Sequence, residues 1–472
     1  MKKKLFNIIS VVVVLSGPGL GGCKKYLDKL DNPNLVTDPP LNGRLAYVTY
    51  RTGYSVYEIG NITSYYVQYL ASNTKGSDHD VYNPVDYSPE WTDSYFSMMN
   101  IKQMMIKAQA TGAWLHLGVG QTLMALNLNM LINAFGDVPY SKALDGKDNA
   151  FPTFDKQADL HDSCIALLDA AIVNLQKTGS SVNLDAGSDV IHSGHAAAWL
   201  KTAYALKARF LNQLSKTSDY DAAAIFDALS HAYTGNADDA ALISFNGRSP
   251  WNGAAYNNTQ NALDGWLSTQ IVNAMDGTNY PVFDPRLPLI ATLTKFGDYR
   301  GTRNGAGRIG TGTNQEESYL SVTGAYSKTN APLLIATYAE MKFIEAEAAF
   351  RSGDKHRAYA AYIAGIQANM EKVGVDTTSE KNYVNDGTVS VGETNITLDL
   401  IFKEKYVAMM LNPEAWTDAR RFDYQYKNFS LPQGAALNTF IRRLDYPQVE
   451  ISRNGSHVPV VGGLDERLAW DK

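Results

Sequence analysis

The sequence predicts a mostly α-helical protein, built from helical hairpins and interrupted by loop-rich insertions. Three observations predict it. Apolar residues recur at three- and four-residue spacing in several separate blocks. Short breaks such as Thr217-Ser218-Asp219 and Gly353-Asp354 join neighbouring blocks, which favours antiparallel helices packed side by side. Residues 235–330 largely lack that spacing and are rich in Gly, Asn, Thr and Tyr, the composition of long loops that carry function. With 472 residues, 45% of them hydrophobic, the chain is long enough to bury a sizeable core.

The first element is a leader. Lys2, Lys3 and Lys4 are a positive start, Leu5 to Leu15 is a mostly apolar run, and Leu20-Gly21-Gly22 puts small residues before Cys23. The apolar run is shorter than the roughly 20 residues that span a bilayer. The Leu-small-small-Cys ending resembles a bacterial lipobox, which implies a signal peptide over residues 1–22, cleavage before Cys23 and a lipid on its thiol. The net charge of −6 includes the three leader lysines and becomes −9 without them. A chain that acidic, with no concentrated basic surface, is not built for nucleic acid. Cys164 is then the second and last cysteine, so no disulfide forms within the monomer. It lies on the stripe Leu160, Cys164, Leu168, Ala171 and Leu175 and reads as a small core residue.

Along the rest of the chain, Asn73 to Pro89 separates a first helix from the next. Val119, Leu123, Leu126 and Met130 mark a helix stopped by Gly136 and Pro139. Trp199, Ala203, Leu206, Phe210 and Leu214 mark another, with His195 at its start. A third stripe runs through Leu334, Tyr338, Met341, Ile344 and Ala348, and a fourth through Leu398, Phe402, Tyr406 and Met409. Leu287 to Leu293 reads as a short extended run, and Asn428 to Lys472 as irregular. No side-chain repeat of ~34 residues is visible, so any solenoid is degenerate.

Five motifs follow one another in order: Cys23-Lys24-Lys25-Tyr26-Leu27-Asp28, Phe135-Gly136-Asp137-Val138-Pro139-Tyr140, Asp284-Pro285-Arg286-Leu287, Glu340 to Ala348, and Lys403-Glu404-Lys405-Tyr406 with Glu414-Ala415-Trp416-Thr417-Asp418-Ala419-Arg420-Arg421. Together they resemble the SusD/RagB family of nutrient-binding outer-membrane lipoproteins, in its SusD-like branch. The resemblance implies a tetratricopeptide-like scaffold over about 40–235 and 331–425, a loop-rich ligand-binding insertion over about 236–330, and a single domain from 23 to 472. It further implies a SusC-like TonB-dependent barrel as partner and an outer-membrane location facing the cell exterior. Lys24-Lys25 stand where surface-exported members often carry acidic residues.

Few motifs point to chemistry. Gly305-Ala306-Gly307-Arg308-Ile309-Gly310 has the spacing of a dinucleotide fingerprint but neither the strand before it nor the helix after it. His192 and His195 lack a third ligand beyond Asp189, and Asp78-His79-Asp80 lacks the ligand loop a calcium site uses, so calcium is a minor option and no cofactor is expected. No catalytic serine elbow, zinc-protease helix or P-loop is present. Glu414, Asp418, Arg420 and Arg421 read as an ion-pair network closing the last helix.

The 28 tyrosines outnumber the 16 phenylalanines, and many fall in loops, where an apolar ring with a polar tip suits a wet recognition surface. Tyr82, Asn83 and Tyr87, near Trp91, form one candidate cluster. Trp251, Asn252, Tyr256 and Asn257 form a second, and Tyr319 and Tyr326 a third. Rings of this kind stack on sugar C–H faces while Asn side chains bond hydroxyls. The expected function is non-catalytic capture of an oligosaccharide for a TonB-dependent transporter. The alternatives are capture of a peptide by the same kind of lid, an anchored hydrolase, or a structural lid that touches ligand weakly.

Overall fold

The computed structural model describes residues 38–145, 149–260, 265–311 and 315–472. Cys23 and the leader lie outside them. Residues Leu41–Lys472 form one compact unit. Its frame is a run of helices, α1 (Leu41–Tyr66), the one-turn α2 (Asp78–Val81), α3 (Ser88–Thr111), α4 (Trp114–Phe135), α5 (Gln157–Leu175), α6 (Ala196–Gln213) and α7 (Ala222–His231), in which α1 packs on both α2 and α3 and each helix from α3 on packs on the next. Gly112, in the left-handed region at φ +69°, ends α3 and lets α4 turn back beside it. Trp114–Phe135 is long and apolar enough to cross a membrane, yet it is apolar on all sides because neighbouring helices bury it.

Two short strands follow, far apart in sequence. Strand β1 (Ala240–Leu242) pairs antiparallel with β2 (Leu333–Ala336), with Leu242 opposite Leu333, and this ribbon clips together the ends of the loop-rich segment between them. That segment holds α8 (Pro250–Thr259) and α9 (Thr269–Met275). The chain resumes its hairpins with α10 (Tyr338–Arg351) and α11 (Lys355–Val373), then α12 (Thr377–Val384), α13 (Leu398–Ala408), α14 (Glu414–Arg421) and α15 (Gln448–Asn454). Thr337 and Asp354 cap α10 and α11 by accepting bonds from the amides of Glu340 and Arg357.

Two expectations are corrected. Leu334 lies on β2, where it pairs with Ala241, and the helix begins only after the Thr337 cap. Leu287–Leu289 is a 3-10 turn, because Asp284 accepts the Arg286 amide and Pro288 has no amide to give a strand; only Ala291 makes a bridge, to Leu320. In addition, the segments read as loops contain the short helices α2, α8, α9 and α15.

The charged residues of the motifs at 284–287, 340–348 and 403–421 are the electrostatic skeleton of the fold. Arg209 on α6 binds Glu340 through two nitrogens, at 2.6 and 2.5 Å, and donates to the Ile335 carbonyl. Arg421 on α14 reaches Glu347 on α10 at 2.6 Å and Asp418 at 2.5 Å, and Lys405 on α13 adds to Asp418. Burial alone would raise the Glu347 carboxyl, but the Arg421 and Arg351 charges hold it well below the usual range. The same paired charges join α6, α10, α13 and α14, and buried amides such as Asn212 and Gln213 bond Glu347 and Glu414 beside them.

Candidate ligand-binding site

The structure distributes the aromatic candidates between packing and surface. Tyr82 ends α2 in the left-handed region at φ 65°, buried edge-on against Tyr66. The Tyr87 hydroxyl meets that of Tyr66 at 2.5 Å in the interior, and half-buried Asn83 donates to Asp78. Trp251 does not stand among small polar residues with little to pack against. Its ring is buried edge-on against Tyr57, 4.9 Å away between centres. Asn252 is also buried and donates to the Ser327 carbonyl at 2.7 Å, and Tyr326 is buried with its hydroxyl bonded by Asn369. Tyr256 is the ring left at the surface, 41% exposed, with the Arg248 guanidinium 4.0 Å from its centre; Asn257 beside it is half-buried.

Of the second and third clusters, Tyr319 alone lines a cavity beside α8, while Asn252 meets the segment of Tyr326 through the Ser327 carbonyl. Helix α8 and residues 315–322 face each other across a cavity of about 260 Å³, lined by Asn258, Thr259, Thr292, Gln315 and Tyr319 among others. Asn258 accepts from the Trp266 indole, Trp266 packs on the Tyr319 ring at 5.1 Å, and the Tyr319 hydroxyl accepts from the Gln315 amide. The lining is thus mixed: an aromatic ring, aliphatic side chains and fixed amides and hydroxyls, and the described lining residues include no carboxylate. The first cluster sits apart from this cavity, held by Tyr66 of α1. Arg248 and Gln315 escaped the sequence reading, since neither carries a motif.

A latch joins the loops beside the site. Asp80, fully buried, accepts from the Asn304 side chain at 2.6 Å and the Gly305 amide at 2.5 Å, so Asp80 is committed to the loop rather than turned toward a cation. The glycines there serve chain crossing: Gly305, at φ +80°, lies against the Gln433 backbone, and Gly307, at φ +75°, against that of Lys75. His192 and Asp189 are likewise consumed internally. His192 bonds Thr202, and Asp189 accepts from the amides of Ile191, His192 and Gly194 and from the Trp199 indole. Among the described residues no three metal-ligating side chains gather.

Burial raises the Asp80 carboxyl to about 6, against the opposing bonds from Gly305 and Asn304. The folded form therefore holds a proton that the unfolded chain releases near 3.8. The stability this proton contributes is present below about pH 4 and is lost as pH rises through about 6. Asp80→Asn has no such titration. The thermal midpoint of the unaltered protein is expected to fall relative to that of Asp80→Asn between pH 4 and 7, and an offset constant with pH would contradict the assignment.

Comparison with known proteins adds the family. The family described as SusD-like, "Starch-binding associating with outer membrane", matches residues 37–447. A SusD/RagB family protein of Bacteroides thetaiotaomicron is 22% identical with a TM-score of 0.75, over 92% of this chain and 99% of that one. A chitin-binding SusD homolog of Flavobacterium johnsoniae is 20% identical with a TM-score of 0.76, over 92% and 98%. A SusD homolog of Bacteroides fragilis is 20% identical with a TM-score of 0.75, over 91% and 99%. At these identities the likeness is one of fold. No curated protein matches the chain.

Proposed function

The chain belongs to the SusD-like family, starch-binding proteins associating with the outer membrane, and from that membership we propose that it is a lipid-anchored, non-catalytic protein that captures an oligosaccharide for a TonB-dependent transporter. The observation that carries the reading is the cavity between α8 and residues 315–322. A sugar presents apolar C–H faces and a rim of hydroxyls. Tyr319 in the wall answers the first, with Tyr256 exposed on α8 outside the lining as a further ring, and Asn258, Thr259, Thr292 and Gln315 answer the second. Glycosidic cleavage needs two carboxyl groups flanking the bond. The carboxylates of the buried network are engaged with arginine and lysine, and none is among the described residues lining the cavity.

Calorimetric titration with oligosaccharides tests this reading, with the ligands checked afterwards for cleavage. Tyr256→Ala is expected to weaken binding of an intact glycan about tenfold, the loss of one stacked ring worth about 1.4 kcal/mol. Heat from short peptides alone would replace the sugar with a peptide. Unchanged affinity in the variant would take Tyr256 out of the site.

The anchor follows from the leader. Cleavage before Cys23 would leave a cysteine carrying several acyl chains, enough for firm attachment to the outer membrane, facing the cell exterior. Cys23→Ala is expected to move the protein from the membrane fraction into the soluble fraction. Retention of the variant in the membrane, in cells lacking the partner barrel, would contradict the lipid anchor.

A further inference from the structure

We propose that the solvent-facing side of α1 is a second glycan-binding platform, a tyrosine ridge that takes the extension of a chain held at the α8 cavity. The proposal rests on the glycan-capture reading. Tyr47, Tyr50, Tyr54, Tyr57 and Tyr65 recur at three-, four- and eight-residue spacing and fall on one face of α1. None of the five is buried, whereas Leu45, Val48, Val56 and Ile59 on the opposite side are. The other side chains on the ridge from 47 to 65 are Arg51, Glu58 and Asn61, so it carries no aliphatic residue there.

The rings make a connected surface. Tyr50 and Tyr54 stack with centres 6.0 Å apart and planes 18° from parallel, Tyr54 meets Tyr57 at 5.5 Å, and Tyr57 meets Trp251 at the start of α8 at 4.9 Å. Exposed Phe96 stands edge-on to Tyr47 at 6.2 Å. At the far end Tyr65 lies 5.9 Å from His79 of α2, whose ring also meets Tyr87. From Tyr47 to Tyr65 the helix rises about 27 Å, room for several sugar units.

The chemistry favours a glycan over a protein partner. An interface between proteins has an apolar centre with polar groups pushed to the rim. Here the ion-paired Arg51 and Glu58, and Asn61, stand between the rings. Arg51 is held by Glu58 at 2.6 Å and by Asp93 of α3 at 2.8 Å, which fixes polar atoms beside the Tyr54 ring. Flat rings at intervals, with immobilised polar groups between them, suit the alternating C–H faces and hydroxyls of a polysaccharide.

The test is calorimetric titration of the full chain in detergent with maltose, maltoheptaose, chitobiose and chitohexaose. Tyr47→Ala/Tyr50→Ala removes two rings that are more than a third exposed. In the unaltered protein the longer glycan of the binding series is expected to bind at least tenfold more tightly than its disaccharide. The double variant should lose that advantage and keep the disaccharide affinity, with the same thermal midpoint. Tyr50→Phe, which keeps the ring, should retain the advantage and guards against a folding defect in the double variant. Equal binding of the long glycan by the unaltered protein and the double variant would overturn the ridge alone. So would a double variant that binds every glycan normally but no longer co-purifies with a TonB-dependent barrel, since the face would then be a docking surface. Absence of heat with every glycan in the unaltered protein would overturn the capture reading and the ridge together.

Discussion

Replacing Arg286 with Met is expected to destabilise the protein by about 3–5 kcal/mol, the cost of leaving a buried charge without its partner. Arg286 and Asp284 are both fully buried. The guanidinium donates to Asp284 through Nε at 2.9 Å and Nη2 at 2.6 Å, to Glu404 at 2.5 Å and to Asn369 at 2.9 Å. Burial alone would lower the pKa of this arginine, and the two carboxylates reverse that and raise it well above the ordinary value. Lys403, which bonds Glu404 at 2.5 Å and lies 3.9 Å from Asp284, would be left as the sole cation for both. Burial then drives one carboxyl to take up a proton, so the loss should be smaller at acid pH. Denaturant melts at pH 5 and 7 measure both effects. A midpoint shift equivalent to less than ~1 kcal/mol at pH 7 would mean that the site hydrates, and that the pair does not hold the loop-rich segment to α13.

Substituting Gly305 with Ala is expected to cost ~2–4 kcal/mol, combining backbone strain with overpacking. A Cβ there would lie 2.1 Å from the Gln433 carbonyl oxygen, and the φ of +80° disfavours any side chain. The consequence should reach beyond stability. The Gly305 amide bonds Asp80, its carbonyl accepts from the Gly76 amide, and the neighbouring Asn304 carbonyl accepts from Gln433. Displacing that crossing frees the loops at 73–89 and 301–310 together. Proteolysis in both loops should accelerate along with a lowered thermal midpoint. Unchanged cleavage and melting would show that the crossing can shift without cost.

The helices legible in the sequence are those with a one-sided apolar stripe, because such a stripe has a single way to be buried. Trp199, Leu206 and Phe210 on α6 and Ile344 and Ala348 on α10 are buried where their spacing puts them. Helix α8 was not legible. Its sequence Pro-Trp-Asn-Gly-Ala-Ala-Tyr-Asn-Asn-Thr has little one-sided apolarity, and it is held by partners such as Tyr57 and Ser327 that are distant along the chain. The same distance explains why Trp251 reads as a surface residue and is packed inside. Leu334 misleads in the opposite way: its spacing to Tyr338 is helical by accident, and strand pairing to Ala241 decides its conformation.

For the candidate site, local composition could mark loop-rich segments but not which of their side chains are exposed. The second and third clusters fall on α8 and residues 319–326 and the first apart from them at 82–87, but burial of Tyr82, Tyr87, Trp251 and Tyr326 depends on tertiary contacts that local composition does not reveal. The tyrosines of α1 were not among the sequence candidates. Their spacing is that of one helix face, and the aliphatic residues of the same helix occupy the other face.

Calorimetric titration of the unaltered protein and of Tyr256→Ala with maltoheptaose and chitohexaose tests glycan capture most directly, with the recovered sugars analysed for cleavage. The expected result is heat from at least one intact glycan, affinity about tenfold lower in the variant, and full recovery of uncleaved ligand. Cleaved sugar would make the protein a hydrolase, and silence toward both glycans with heat from peptides would contradict oligosaccharide capture.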